Sequence, residues 1–191
     1  MLVNYNKTGV AMSRFQFSHP ASLSALFALM TGSFLVNAEP AVFSQGTLTI
    51  PEGVVITEKG NAYFTDIILV QSDQGDLIIT GAHAKPLVSV ENVEVLIMES
   101  FPLQVSLTIS GFLSVPCVAL LSPAVSYTEG LFQVVLAEST MGPAETCIAV
   151  IEPFETSVPL EVAGFPSGLY TVDVNGQQAK FTFDMDNQPF Q

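Results

Sequence analysis

Cys117 and Cys147 are the whole thiol complement of the chain, and they lie 30 positions apart. A redox pair or a thiolate metal site calls for a C-x-x-C spacing or for histidines close by, and neither is present. The two cysteines are therefore expected to form a structural disulfide, as befits a chain that folds in an oxidising compartment. By the chain-entropy model, closing a loop of that length contributes about 3–4 kcal/mol. Histidine is as scarce as cysteine. His19 falls in a leader, described below, so His83 is the sole histidine of the processed chain. One histidine cannot build a multi-histidine metal centre. A Ser–His–Asp arrangement would have to use it, and no G-x-S-x-G elbow is in view. The plainer reading of His83 is an exposed residue beside Lys85-Pro86.

Acids are plentiful, and paired carboxylates are the usual equipment of a glycosidase. No pair stands out here. Glu152 and Glu155 flank Phe154, and Asp184-Met185-Asp186-Asn187 resembles part of a calcium loop. That fragment lacks the glycine and the closing glutamate of an EF-hand, so a polar tail is the expected role, with weak calcium binding left open. Phosphate loops and dinucleotide fingerprints are missing from the sequence. No catalytic residue, resident metal or cofactor is assigned, and the chain is expected not to be an enzyme.

With 5 Lys+Arg against 18 Asp+Glu, the formal net charge is −13. The leader holds Lys7 and Arg14 but no acid, so its removal leaves Lys59, Lys85 and Lys180 as the only cations. Nucleic acids and anionic lipid surfaces are bound by neutralising phosphate charge, which this composition opposes. Neither is expected as a partner.

Residues 12–38 have the form of a secretory signal peptide. Arg14 is the basic end, Ala21 to Val36 the apolar stretch, and Val36-Asn37-Ala38 supplies small residues where a signal peptidase cuts. Met12 is a second candidate start. The competing reading is an uncleaved anchor, but the apolar stretch is shorter than the ~20 residues that span a bilayer. Cleavage after Ala38, a secreted or periplasmic location and no membrane attachment afterwards are expected. Residues 1–38 are thus set apart from the fold.

What must position any site is built from short extended runs. Thr47 to Ile50, Val54 to Thr57, Tyr63 to Val70 and Leu77 to Thr80 are four strands separated by Gly and Asp clusters, a small antiparallel meander over 39–86. Lys85-Pro86 marks the boundary. From 87 to 187 about seven strands follow at turn spacings of a β-sandwich. Val88 to Met98 opens the series and Phe101-Pro102 breaks it. Leu103 to Ile109 alternates cleanly, Cys117 to Tyr127 is a strand kinked at Pro123, and Glu129-Gly130 turns into Leu131 to Leu136. After the loop at Met141-Gly142-Pro143 come Cys147 to Ile151 and Val158 to Val162. The closing hairpin is the clearest signal: Asn175-Gly176 stands between two alternating runs, and both turn positions require positive φ. Residues 188–191 form a tail. No helix of ordinary length fits after residue 39. Phe112 to Leu121 is an apolar run around Cys117, expected as core strand, with an exposed binding loop as the alternative.

Glu94-Val95-Leu96-Ile97-Met98-Glu99-Ser100-Phe101-Pro102-Leu103-Gln104-Val105, the stretch from Cys147 through Glu152-Pro153-Phe154-Glu155-Thr156-Ser157-Val158-Pro159-Leu160, and Gly168-Leu169-Tyr170-Thr171-Val172-Asp173-Val174-Asn175-Gly176 together resemble a recurring immunoglobulin-like module of uncharacterised secreted bacterial proteins. The resemblance spans about residues 91–187. It implies an extracytoplasmic β-sandwich with a Cys117–Cys147 bridge and carries no implied activity. The chain departs from the module at 111–128, where it is unusually apolar. The expected whole is all-β: a signal peptide, a small β meander and an antiparallel immunoglobulin-like β-sandwich. Its expected function is non-catalytic binding or structural work with an extracytoplasmic protein partner. An inhibitor of a protease or cell-wall hydrolase is the alternative, by fold analogy alone; a carboxylate-dependent hydrolase is third.

Overall fold

The computed structural model describes residues 39–57 and 60–188; the signal-peptide expectation lies outside them. Every element among the described residues is a β-strand. β1 (Val42–Ser44), β2 (Thr47–Thr57), β3 (Gly60–Gln71) and β4 (Leu77–Lys85) form one four-stranded antiparallel sheet in that order. The expected meander is therefore present, with one change. The runs at 47–50 and 54–57 are a single strand, because β2 continues through Pro51. Ile50 pairs with Ile67 and Glu52 with Thr65, so the register holds across the proline. Opposite it, Asp66 takes φ 53°, and the β3–β4 register slips beside it. A bulge of this kind bends the strand and adds twist.

Seven strands build the sandwich. β5 (Ser89–Met98), β6 (Gln104–Leu113) and β9 (Glu152–Leu160) form a three-stranded sheet in the order β5-β6-β9. β7 (Ala124–Thr128), β8 (Leu131–Val135), β10 (Gly168–Val174) and β11 (Gln177–Phe183) form the facing sheet, ordered β11-β10-β8-β7. All pairings are antiparallel except β8 with β10, which is parallel. The chain leaves β8, crosses to the other sheet as β9 and returns as β10, the long crossover a parallel pair requires.

The core follows from alternation. β6 buries Val105, Leu107 and Ile109 on one side, as the clean LQVSLTI pattern predicts, and β9 adds Val158 and Leu160. Facing them are Phe132 and Val134 of β8, Tyr170, Val172 and Val174 of β10, and Phe181 and Phe183 of β11. Tyr127, Phe165 and these aromatic rings form a continuous cluster, with Tyr170 and Phe181 stacked at 5.3 Å between centroids. β6 runs so close to β5 that a side chain at Gly111 would collide with the Ser89 carbonyl oxygen. Two turns take the predicted form: Glu129-Gly130 at φ 49° and 84°, and Asn175-Gly176 at φ 49° and 96°.

One expected strand forms only in part and another does not form. Over 117–127 only Ala124 onward is strand, and Cys147 to Ile151 has no strand at all. Pro116 and Pro123 each remove a ladder donor at the ends of the first segment, and the disulfide ties the two segments together as loops. The Phe112–Leu121 run is divided accordingly. Phe112 and Leu113 end β6, while Val118 and Leu120 pack against the core as loop residues, half-buried.

Candidate binding surface

The Cys117–Cys147 disulfide is present, with Cα atoms 6.1 Å apart, inside the range such a bridge needs. It holds a loop whose far side is strongly apolar and exposed. Ile148 is 68% exposed, and Val150 and Ile151 are exposed with it.

The other sequence candidates are dispersed. His83 sits on β4 with its Nδ1 3.4 Å from the Asp66 carboxylate, both side chains mostly in solvent. Glu152 and Glu155 lie at exposed positions on β9. Asp186 accepts a hydrogen bond from the Ser167 amide at 2.8 Å and so acts as a local brace, while Asp184 is exposed. Among the described residues no cluster of three or more His, Cys, Asp or Glu side chains is placed to hold a metal ion.

An exposed apolar feature is found instead on one face of the β1–β4 sheet. Residues paired directly across antiparallel strands stand on the same face. Phe43 pairs with Leu48, Leu48 with Leu69, and Leu69 with Ile79, so these four side chains make one row across all four strands. Ile50 and Ile67 pair in the next row of that face. Farther along, Val54, Ile56 and Tyr63 pack on Val135, Ala137, Leu121 and Ala124 of the sandwich. One end of this face is thus covered by the sandwich and the other is open, with the Glu52–Thr65 pair between them. Phe43, 59% exposed, and Ile79, 65% exposed, mark the open end.

Between the covered and open parts lies a cleft of about 590 Å³, lined by Ile50, Pro51, Val54, Tyr63, Pro123 and Val125, with Glu39 and Glu52 at its polar margin. Tyr63 is its only fully buried wall residue, 1% exposed. Its hydroxyl donates to the Ser122 carbonyl at 2.9 Å, tying the sheet to the sandwich. Burial, and next the neighbouring Glu52 carboxylate, push the phenol well above its ordinary value of 10.0. A phenol raised in the fold favours the native state in its neutral form. That stability is complete below about pH 10 and is lost as pH climbs towards the folded value. Tyr63→Phe, which cannot ionise, should show a shallower alkaline loss of stability than the parent chain in urea melts followed from about pH 8 to pH 11.

Three polar side chains make long-range structural contacts. Asn187, expected in a polar tail, is buried and clamps two loops. Its Oδ1 accepts from the Leu103 amide at 2.6 Å, and its Nδ2 donates to the carbonyls of Leu103 and Val162 at 2.9 Å each. Asn175 fills the hairpin turn and also reaches out of it, accepting from the Leu136 amide and donating to the Val88 and Leu136 carbonyls. The buried Glu138 carboxylate accepts from the Ser114 amide at 2.8 Å. The positive-φ demand of the turn points to Asn175; for the other two no local signal exists.

A family model described as the ORF11 beta-sandwich domain matches residues 107–184, from within β6 to just past β11. The chain is similar to that β-sandwich family over this span, in agreement with the architecture above. No curated protein and no solved structure matches the chain. Among the described residues no helix is long and apolar enough to cross a membrane.

Proposed function

We propose that the chain is an extracytoplasmic, non-catalytic binding module that engages a protein partner through the open face of its β1–β4 sheet. The observation that carries this reading is the row Phe43–Leu48–Leu69–Ile79, which crosses the whole sheet and continues a face that the sandwich covers only in part. Contiguous apolar surface left in solvent marks interaction sites far more often than scattered apolar residues do. Glu39 and Glu52 line the adjoining cleft and Asp73 and Asp76 lie between β3 and β4, so the partner surface it suits is apolar with basic groups beside it. A non-catalytic role is supported by how the polar groups near the cleft are used. The Tyr63 hydroxyl is committed to Ser122, and His83 lies in solvent against Asp66.

The finer assignment to an immunoglobulin-like, secreted bacterial module rests on three features. The Tyr170 hydroxyl donates to the Pro166 carbonyl at 2.7 Å, four residues upstream, the arrangement of the tyrosine corner in immunoglobulin-type sandwiches. The disulfide fits an oxidising compartment. The leader pattern of Arg14, the apolar stretch and Val36-Asn37-Ala38 directs export. Sequencing the N-terminus of the exported product should give Glu39 first; a retained Met12 would contradict export.

A second reading, inhibition of an extracytoplasmic hydrolase, is favoured by one observation: the exposed Ile148–Ile151 segment is braced at its root by the disulfide. Partner capture from periplasm or culture medium separates the two. With the face as the site, Phe43→Asp should lower capture at least tenfold and Ile148→Asp should leave it unchanged. The opposite pattern would favour the inhibitor.

A further inference from the structure

Glu138 is the only carboxylate that is buried among the described residues, with 4% of its surface exposed. Its backbone is pinned on both sides: the amide donates to the Pro86 carbonyl at 2.9 Å, and a β-bridge joins it to Leu120. Of its two carboxylate oxygens, Oε2 accepts from the Ser114 amide. No donor of the chain reaches Oε1, and among the described residues no cation stands within ion-pair range of it. The single amide bond would be made as well by a glutamine. A carboxylate at that depth is costly, and buried charges are as a rule paired or set against a metal ion.

Beside this carboxylate is a pocket of about 190 Å³, with Glu138, Val88 and Leu113 as its buried walls. Among the described residues no buried side-chain polar atom lacks a hydrogen-bond partner. The unbonded Oε1 is therefore open to solvent, and this pocket is the opening that Glu138 lines. Phe112 and Ile151 add apolar wall, and Ser89 and Ser114 line it from exposed positions with hydroxyls that make no hydrogen bond in the fold. No basic residue lines it. Its volume is below the ~300 Å³ at which pockets for drug-sized ligands begin, so its occupant is small. Apolar walls around a free carboxylate oxygen suit an apolar stem that ends in a charged donor. A primary ammonium has three donors and no acceptor. A guanidinium fork suits a carboxylate with both oxygens open, and here Oε2 is already engaged. A divalent cation needs several oxygen ligands, and among the described residues no group of three acids, histidines or cysteines is placed to hold one. We propose that this pocket binds a primary ammonium on a short, unbranched apolar stem, with Glu138 Oε1 as its counter-ion. None of the lining residues belongs to β1–β4, so the site stands or falls apart from the partner face.

Titration of n-butylammonium into the purified chain at constant ionic strength, followed by amide nitrogen–proton correlation spectra, tests the site. The Ser114 amide, bonded to the same carboxylate, is the reporter. Its resonance should move saturably, together with those of Val88 and Ile151. The uncharged n-butanol should bind at least about tenfold more weakly. Tetramethylammonium, charged but without an N–H, should leave the Ser114 amide unmoved. Glu138→Gln keeps an oxygen for that amide and should lose at least about tenfold in n-butylammonium affinity. The ligand series on the parent chain carries the test even if that variant fails to fold. Nα-acetyl-lysine methylamide distinguishes the sources of the ammonium: binding tighter than n-butylammonium assigns the pocket to a lysine side chain of a protein, and weaker binding assigns it to a free amine. An equal response to n-butanol, an unchanged affinity in folded Glu138→Gln, or a Ser114 amide that calcium moves and n-butylammonium does not would each overturn the proposal.

Discussion

Replacing Asn187 with alanine should destabilise the fold by about 2–4 kcal/mol, although the residue lies past the last strand. The side chain satisfies three backbone groups, the amide and carbonyl of Leu103 and the carbonyl of Val162. Removing it strands those groups where water is scarce, and each orphaned group costs about 1–3 kcal/mol, reduced where solvent can reach in. The Asn187 backbone adds two bonds of its own, accepting from the Gly164 amide and donating to the Phe165 carbonyl. These survive the substitution, so the loss measures the side chain. Urea unfolding of Asn187→Ala should show a lower midpoint with an unchanged slope. Asn187→Asp should be at least as damaging, since it removes both donors and buries a charge. A midpoint within error of the parent would mean that the C-terminal segment does not clamp the loops.

The second large effect is expected at the disulfide. Cys117→Ala with Cys147→Ala should lower stability by about 2–5 kcal/mol. The bridge is the only covalent tie across the two loops, and no strand pairing holds 144–151 in its place. Most of the loss comes from the greater freedom of the unfolded chain. Some comes from the native loop, whose exposed Ile148, Val150 and Ile151 contribute little burial to replace the bridge. Thiol titration of the unfolded, unreduced parent should detect no free cysteine. Capture of a partner through the β1–β4 face should persist in the double variant once it is folded, because the bridge lies outside that face.

How far the sequence carries this architecture depends on the range of the interaction involved. Alternation along Leu103 to Ile109 and the Asn175-Gly176 turn are local signals with strong backbone reasons behind them, and both appear as expected. The apolar runs at 117–123 and 147–151 mislead for a physical reason. Periodicity registers apolar character, but Pro116, Pro123 and a bridge to a distant loop decide whether such a run can pair. Half-burial of Val118 and Leu120 in a loop satisfies the same composition as a strand would. Pro51 misleads in the opposite direction: the break it suggests is absorbed within β2, with the bulge at Asp66 on the neighbouring strand. Asn187 and Glu138 escape because their partners are 84 and 24 positions away.

The candidate site was legible only in part. Alternation in β2 and β3 marks an apolar face, yet nothing in a strand pattern says what covers it. The structure supplies that difference. Val54, Ile56 and Tyr63 meet the sandwich, whereas Phe43 and Ile79 meet solvent. The row that joins them depends on register across three strand pairings, and the β3–β4 register shifts at Ile68↔Gly81 before returning at Leu69↔Ile79.

Amide hydrogen exchange on the chain, free and bound to the partner it captures, tests the binding surface most directly. The β1–β4 assignment predicts added protection in β1 and β2, around Phe43 to Ile50, with no change at 147–151. Added protection confined to the Ile148–Ile151 loop, with β1 and β2 unaltered, would contradict it.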